Sequence, residues 1–221
     1  MKKIKILNLY ACLGGNRYKW DEVANIEVTA VELDPVLAKL YQERFPRDEV
    51  IIGDAHSFLL KNFKDYDFIW SSPPCPKHSR ARYWSSKGGG TSIEYVDMML
   101  YQEIILLDKY FKGKYVIENV IPYYEPLVAA QKRGRHLYWT NFRLPKNVNE
   151  RKIQIGAGIN EVKKLCEFHD YDFYKYKGSQ RIDKIARNLV DYQVGKMIFQ
   201  LANNIINNKP LEQIGLFSKV G

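Results

Sequence analysis

The sequence predicts an α/β fold: a mostly parallel sheet covered by helices on both faces. Three observations lead there. Short apolar runs alternate with segments of helical period, a glycine turn ("CLGGNR") follows the first apolar run, and the second run ends on a carboxylate. "IKILNLYA" reads as a buried strand, "IEVTAVELD" as the second and "EVIIGDA" as the third. "PVLAKLYQERF" lies between the last two as a helix with Pro35 in its first turn. "YDFIWSSPP" makes a fourth strand, followed by a loop to about Thr91. "SIEYVDMMLYQEIILLDKYF" is a long helix and "GKYVIENV" a fifth strand. An aromatic strand begins at "HLYW". From about Pro145 to Gly178 the chain turns short, mixed and rich in Lys and Tyr, with "GAGIN" as a turn. "IARNLVDYQVGKMIFQLANNIINN" then returns to helical spacing. The expected organisation is a core over 1–144, a small insert over 145–178 and a helical segment over 179–221.

At 221 residues the chain can bury one sizeable core. Lys and Arg number 34 against 25 Asp and Glu, a formal charge of +9, alongside 16 Tyr, 10 Phe and 4 Trp. That surface suits either a polyanion with stackable bases or a merely basic protein. Three separated cysteines argue against a disulfide framework and fit a reducing cytoplasm. "MKKIKILNL" has too short an apolar run for a signal peptide, and no stretch is long enough to span a bilayer. Cys166 and His169 stand at C-x-x-H spacing, but zinc needs four ligands and no second pair accompanies them; no metal is expected.

The candidate chemistry gathers at strand ends. Gly14 and Gly15 either let backbone approach a ligand or make a plain tight turn, and Glu32 ends the next strand where a carboxylate can take ribose hydroxyls. Asp54 either caps a helix or accepts from an adenine amino group. Pro73 and Pro74 stiffen the backbone ahead of Cys75. That cysteine is either a small buried hydrophobe or a thiol whose neighbours Lys77, His78, Arg80 and Arg82 favour the thiolate, with "SSKGGG" as a hinge. Glu118, beside Asn119, is either a solvated strand end or a proton donor within reach of Cys75. Gln131, Arg133 and Arg135 alternate, so in an extended segment they share one face, turned either to a ligand or to solvent along an edge strand.

In this order the motifs resemble the SAM-dependent DNA (cytosine-5) methyltransferase family: "PPC" at 73–75, "ENV" at 118–120 and Q-x-R-x-R at 131–135, with "VELDPVLAKLYQERFP" and "GDA" similar to its second and third cofactor motifs. The likeness covers Ile4 to about Leu144 and resumes near Arg181 to Ile205. It implies a class I SAM-methyltransferase (Rossmann-like) fold with S-adenosyl-L-methionine (SAM) at the strand edge, and DNA as the partner. Ala11, Cys12, Leu13, Gly14 and Gly15 would hold the methionine part, Glu32 with Leu33 the ribose, and Asp54 with Ala55 the adenine, Pro73 completing the site. Cys75 would add to C6 of a flipped cytosine, Glu118 would protonate or hydrogen-bond N3, Arg135 would hold O2 and Arg133 would lie beside the nucleophile. Lys77, His78, Arg80, Arg82 and Gln131 would contact the nucleic acid. The chain departs from the family at Cys12, which stands at a glycine, at Pro76, where Gln is common, and at Lys196 in the last motif. The target-recognition region, 145–178, is short for the family, which implies a short or relaxed recognition sequence. An RNA-methylating branch of the family shares PPC and ENV. A catalytically impaired SAM-binding or nucleic-acid-binding protein is the third possibility, disfavoured by Cys75, Glu118 and Arg135 standing together.

Overall fold

A computed structural model of the chain describes residues 3–90, 92, 94–148, 151 and 159–204. Seven strands form one sheet: β1 (Ile4–Leu9), β2 (Ile26–Glu32), β3 (Glu49–Ile52), β4 (Phe68–Ser71), β5 (Lys114–Val120), β6 (Gln131–Arg133) and β7 (His136–Thr140), in the order β3-β2-β1-β4-β5-β7-β6. β1 to β5 run parallel, while β7 is antiparallel to both β5 and β6. The expected α/β class is therefore what the chain adopts. The order reverses at β1, whose neighbours are β2 and β4. A doubly wound sheet opens its ligand crevice at such a point, beyond the carboxyl ends of the strands.

Both faces of the sheet are buried, which is why its strands read as apolar runs. Leu7, Leu9, Ile69 and Ile117 turn to one face, under α2 (Ala55–Asn62) and α4 (Met98–Tyr110). Ile6, Val28, Phe68, Trp70 and Val116 turn to the other, against Trp20 and α7 (Tyr192–Ala202). Trp20 stacks on Phe199 at 5.0 Å and donates its indole N–H to the Gly195 carbonyl. A Cβ at Gly195 would lie 2.4 Å from the Asn16 carbonyl oxygen, so glycine is required for α7 to close against the first turn. Lys196 points away from that turn and pairs with Glu22.

Aspartates start the helices. Asp34 accepts from Val36 and Leu37 at the head of α1 (Pro35–Arg44), Asp54 from Ser57 at α2, and Asp97 from Met99 at α4. The Asp97 cap is why the long helix begins at Met98 and not near Ser92. α2 follows Asp54 as the capping reading of that residue has it, whereas helices lie where none was expected at α3 (Arg80–Lys87), inside the stretch read as a loop to Thr91, and over Ile159–His169, inside the stretch read as short and mixed. The extended run expected over 131–135 also breaks, because Gly134 takes φ 50° and turns β6 back into β7. The "GAGIN" turn lies largely outside the described residues. Among those described, no helix is long and apolar enough to cross a membrane.

The described part of 145–178 is built onto the core. α5 (Ile159–His169) and α6 (Ile182–Asn188) pack Val162, Leu165, Ile185 and Ala186 against Leu13, Leu37 and Leu40. Arg151 ties this layer together, pairing with Asp191 at 3.1 Å and reaching His169 Nε2 at 3.1 Å. Burial, then the Arg151 and Arg44 guanidiniums, drive the His169 pKa down to about 3 from an ordinary 6.5. Between those values the unfolded chain binds a proton that the folded chain excludes, so stability rises with pH across that interval. Thermal unfolding should thus show a midpoint that is unaffected by His169 above about pH 6.5 and falls as pH drops towards 3. His169→Gln should flatten that fall; an unchanged acid slope in the variant would contradict the assignment.

Candidate functional site

The first turn leaves β1 through three left-handed positions: Tyr10 (φ 54°), Cys12 (φ 48°) and Gly14 (φ 66°). Two of these are not glycine, at a cost of about 1–2 kcal/mol each. Specific bonds hold the strain. Tyr10 donates its hydroxyl to Glu103 at 2.7 Å, the Ala11 amide donates to the Val31 carbonyl, and the Cys12 amide donates to Glu32 at 2.8 Å. Cys12 therefore keeps the backbone that a glycine would adopt more easily. The glycines correct one expectation. A Cβ on Gly14 would lie 2.4 Å from the Phe45 ring, and one on Gly15 2.3 Å from the Val190 carbonyl. Gly14 admits the end of α1 and Gly15 the connection between α6 and α7 at close range, and Leu13 is wholly buried in the core. Of this turn, Ala11, Cys12 and Gly15 line a cavity; Leu13 and Gly14 do not.

Two cavities meet at the switch point, sharing Tyr10, Cys12, Pro73 and Pro74. The larger, ≈ 460 Å³, is lined by Glu32, Leu33, Asp34, Asp54, Ala55 and Leu100 among others. Glu32 holds the Cys12 and Asp34 amides at 2.8 and 2.9 Å. Burial raises its pKa, against the pull of the Asp34, Cys12 and Leu33 amides. Asp54 both caps α2 and lines this cavity. The donor set fits SAM. A fixed carboxylate suits a ribose diol, Leu33, Met99 and Leu100 offer apolar surface to a purine, and the acidic lining suits a cationic ligand.

The second cavity, ≈ 340 Å³, collects Cys75, Glu118 and Arg135 from three separate parts of the chain. β4 and β5 pair Ser71 with Ile117 in parallel, so the next residues along each strand fall side by side. Ser72 donates to Glu118 at 3.0 Å while receiving the Trp70 indole N–H at 2.9 Å. Asn119 donates its side-chain amide to the Pro73 carbonyl at 3.0 Å. Prolines supply no N–H, so the ladder stops at Ser72 and the Asn119 amide takes over. His136 Nε2 lies 3.4 Å from the other oxygen of Glu118, which is 8 % exposed. Burial, then the facing Glu118 carboxylate, push the Cys75 thiol up, while Lys184 on α6 pulls it down.

Several basic residues stand elsewhere than expected. Lys77 pairs with Asp97 and Arg82 with Glu94, and Arg80 donates to the Pro122 carbonyl. His78 is buried, joined to the Tyr124 hydroxyl at 2.6 Å, with its pKa lowered by burial. The expectation that these four favour the Cys75 thiolate is corrected: carboxylates neutralise two of them, and the cation acting on the thiol is Lys184. Gln131 donates to Thr140 and the Phe142 carbonyl, and Arg133 to the Leu144 and Pro145 carbonyls. Both are spent on the β6–β7 corner, since the turn at Gly134 separates them from Arg135. Arg133 does not lie beside Cys75, and neither it nor Gln131 lines the cavity.

Sequence reasoning missed Tyr10 and Asn16, and also Arg187 and Asn188, which close the thiol cavity from α6, as well as Gln180 on the cofactor side. The position of Tyr10 between a strand and a glycine turn was a usable signal. Arg187 gave none, because it is brought there by its bidentate pair with the buried Glu161, 26 residues away.

Residues 4–122 match the family described as C-5 cytosine-specific DNA methylase. Over 207 residues the chain is 26% identical to the Type II methyltransferase M.HgiCII of Herpetosiphon aurantiacus, covering 86% of this chain and 44% of that protein. It thus spans less than half the length of this curated relative. Similar solved structures include the putative methyltransferase yhhF of Escherichia coli, with TM-score 0.41, 15% identity and 62% and 74% of the two chains covered. A mutant of DNMT2 from Spodoptera frugiperda gives TM-score 0.38 at 26% identity, covering 53% and 35%.

The geometry predicts how Cys75 reacts. Its alkylation by iodoacetamide, followed at the Cys75 peptide by mass spectrometry, should have a pH midpoint above that of an ordinary thiol. Glu118→Gln should lower that midpoint and Lys184→Gln should raise it. Identical profiles for the three proteins would contradict the charge arrangement.

Proposed function

The chain belongs to the C-5 cytosine-specific DNA methylase family, and from that premise we propose that it methylates C5 of a cytosine in DNA with SAM as donor. The observation that carries the proposal is the meeting of Cys75, Glu118 and Arg135 in one cavity that adjoins the site fitted to SAM. When bound, SAM supplies an electrophilic methyl group. The rest falls to the chain. C5 of cytosine is a weak nucleophile, and a thiolate adding at C6 converts one hard step into easier ones. As the Cys75 sulfur bonds to C6 its thiol proton passes to Glu118, which delivers it to N3 while the C5–C6 π electrons move to C5. After C5 is methylated its proton passes to solvent, the C5–C6 double bond returns, the carbon–sulfur bond breaks with its electron pair on sulfur, and N3 returns its proton through Glu118 to Cys75.

The raised pKa of Cys75 agrees with a thiol that is deprotonated only once substrate and cation are in place. Ser72 and His136 fix the direction of Glu118, and Asn119 fixes Pro73. Arg135 is the candidate donor to O2. The target base must leave the duplex to reach this depth. Segment 145–178 is the candidate target-contacting insert; its brevity, with Val162, Leu165 and Phe173 of its described part committed to the core, favours a short or relaxed recognition sequence.

Methyl-labelled SAM offered with separate pools of DNA and RNA should give label in DNA; label confined to RNA would assign the enzyme to RNA instead. Cys75→Ser should abolish transfer. Glu118→Gln should bind SAM normally and lose roughly 10²–10⁴-fold in rate, the usual worth of a positioned proton donor. Unchanged turnover would remove Glu118 from the reaction.

A further inference from the structure

α3 contains no buried residue. A helix of eight residues is marginal in water, and this one is held at its N-terminal end. Ser79 bridges to Pro122, and the Arg80 guanidinium donates to the Pro122 carbonyl at 2.8 Å. On it stands Trp84, nine residues after Cys75. Of the chain's 4 tryptophans, Trp20, Trp70 and Trp139 are at most 1 % exposed, whereas Trp84 is 66 % exposed. The indole has a rigid backing. It meets Tyr83 edge-on at 5.6 Å, and Tyr83 lies parallel to Tyr123 at 4.1 Å and 2°. Tyr124 continues the ladder to His78. α3 carries Arg80, Arg82 and Lys87 and no carboxylate, and Lys87 sits 5.1 Å over the Tyr83 ring. Beside it opens a cleft of ≈ 290 Å³ lined by Tyr83, Tyr95 and Tyr123 together with Lys77 and Lys87.

An exposed indole on a basic helix that begins five residues along the chain from Cys75 suits the π-face of a nucleobase. Stacking on it requires a base whose own face is uncovered, as in a single strand or an opened duplex. We propose that Trp84 stacks on an unpaired base in the strand that carries the target cytosine. The proposal rests on nucleic acid being the substrate, and it adds that unpaired strand is bound more tightly than intact duplex.

Trp84 is its own reporter, since the other indoles are shielded. The full chain, without SAM, is titrated with a single-stranded DNA oligonucleotide, its full duplex, and the same duplex left unpaired around the cytosine. Tryptophan fluorescence should be quenched by the first and third at concentrations about tenfold or more below that needed with the duplex, a ratio set by one lost base stack. Trp84→Phe should remove the quenching and keep binding, read by anisotropy of a labelled strand. Trp84→Ala should weaken single-strand binding about tenfold and leave SAM affinity unchanged. Equal response to the duplex, quenching that survives in Trp84→Phe, wild-type affinity in Trp84→Ala, or no binding of any strand would each overturn the proposal. The titration reads binding and the labelled-SAM assay reads methyl transfer, so the two proposals fail separately: quenching without methylation would remove the reaction alone, and methylation by a Trp84→Ala protein of unchanged affinity would remove the stacking alone.

Discussion

The parallel pairing of Ser71 with Ile117 decides where a thiol and a carboxylate can meet. A slip of one residue between β4 and β5 would turn Glu118 to the opposite face and put Ile117 or Asn119 in its place beside the strand end that carries Cys75. The register is set by burial on both faces, with Phe68 and Trp70 on one side and Ile69 on the other, so any slip would exchange the two cores. The hydrophobic core thereby fixes the distance between the reacting groups, and the Ser72–Glu118 and Asn119–Pro73 bonds extend that register two residues past the last ladder bond.

A buried carboxylate joins this edge to the cofactor side. Glu103 of α4, fully buried, accepts from Ser71 on β4, from the Tyr10 hydroxyl beyond β1, and from His56 on α2. His56 also faces Gln102, and its pKa is raised, first by its hydrogen bond to Glu103. Burying such a charge is costly unless every lone pair is used, and here three elements supply donors. Tyr10 lines both cavities, so the network that holds its left-handed backbone also holds the wall between them.

Much of this was legible in the sequence because it depends on local chemistry. Alternating apolar runs gave the sheet, Pro35 marked the start of α1, and "PPC" and "ENV" stood at adjacent strand ends, as the fold then required. What was not legible depended on distant partners. His78, Arg82 and Lys77 read as a basic loop, yet Tyr124, Glu94 and Asp97, each at least 12 residues on in the chain, occupy them. Arg133 reads like Arg135 until Gly134 turns the chain between them. The glycines of the first turn read as room for a ligand or as a plain turn; Gly14 makes room for Phe45, and Gly15 both lines the thiol cavity and makes room for Val190, neighbours that no local pattern announces. Arg187 reaches the thiol cavity through a carboxylate that only the folded chain brings near.

The cavity holds two thiols, Cys75 and Cys12, and burial followed by the Glu32 carboxylate lifts the latter to about 12. That makes the site of covalent attachment the most direct test of the account. DNA containing 5-fluorocytosine, incubated with the protein and SAM, should leave a denaturation-resistant complex, because fluorine at C5 blocks the proton loss that frees the sulfur. Proteolysis and mass spectrometry should find the base linked to the peptide carrying Cys75. Linkage to the Cys12 peptide, or methylation with no covalent complex, would contradict it.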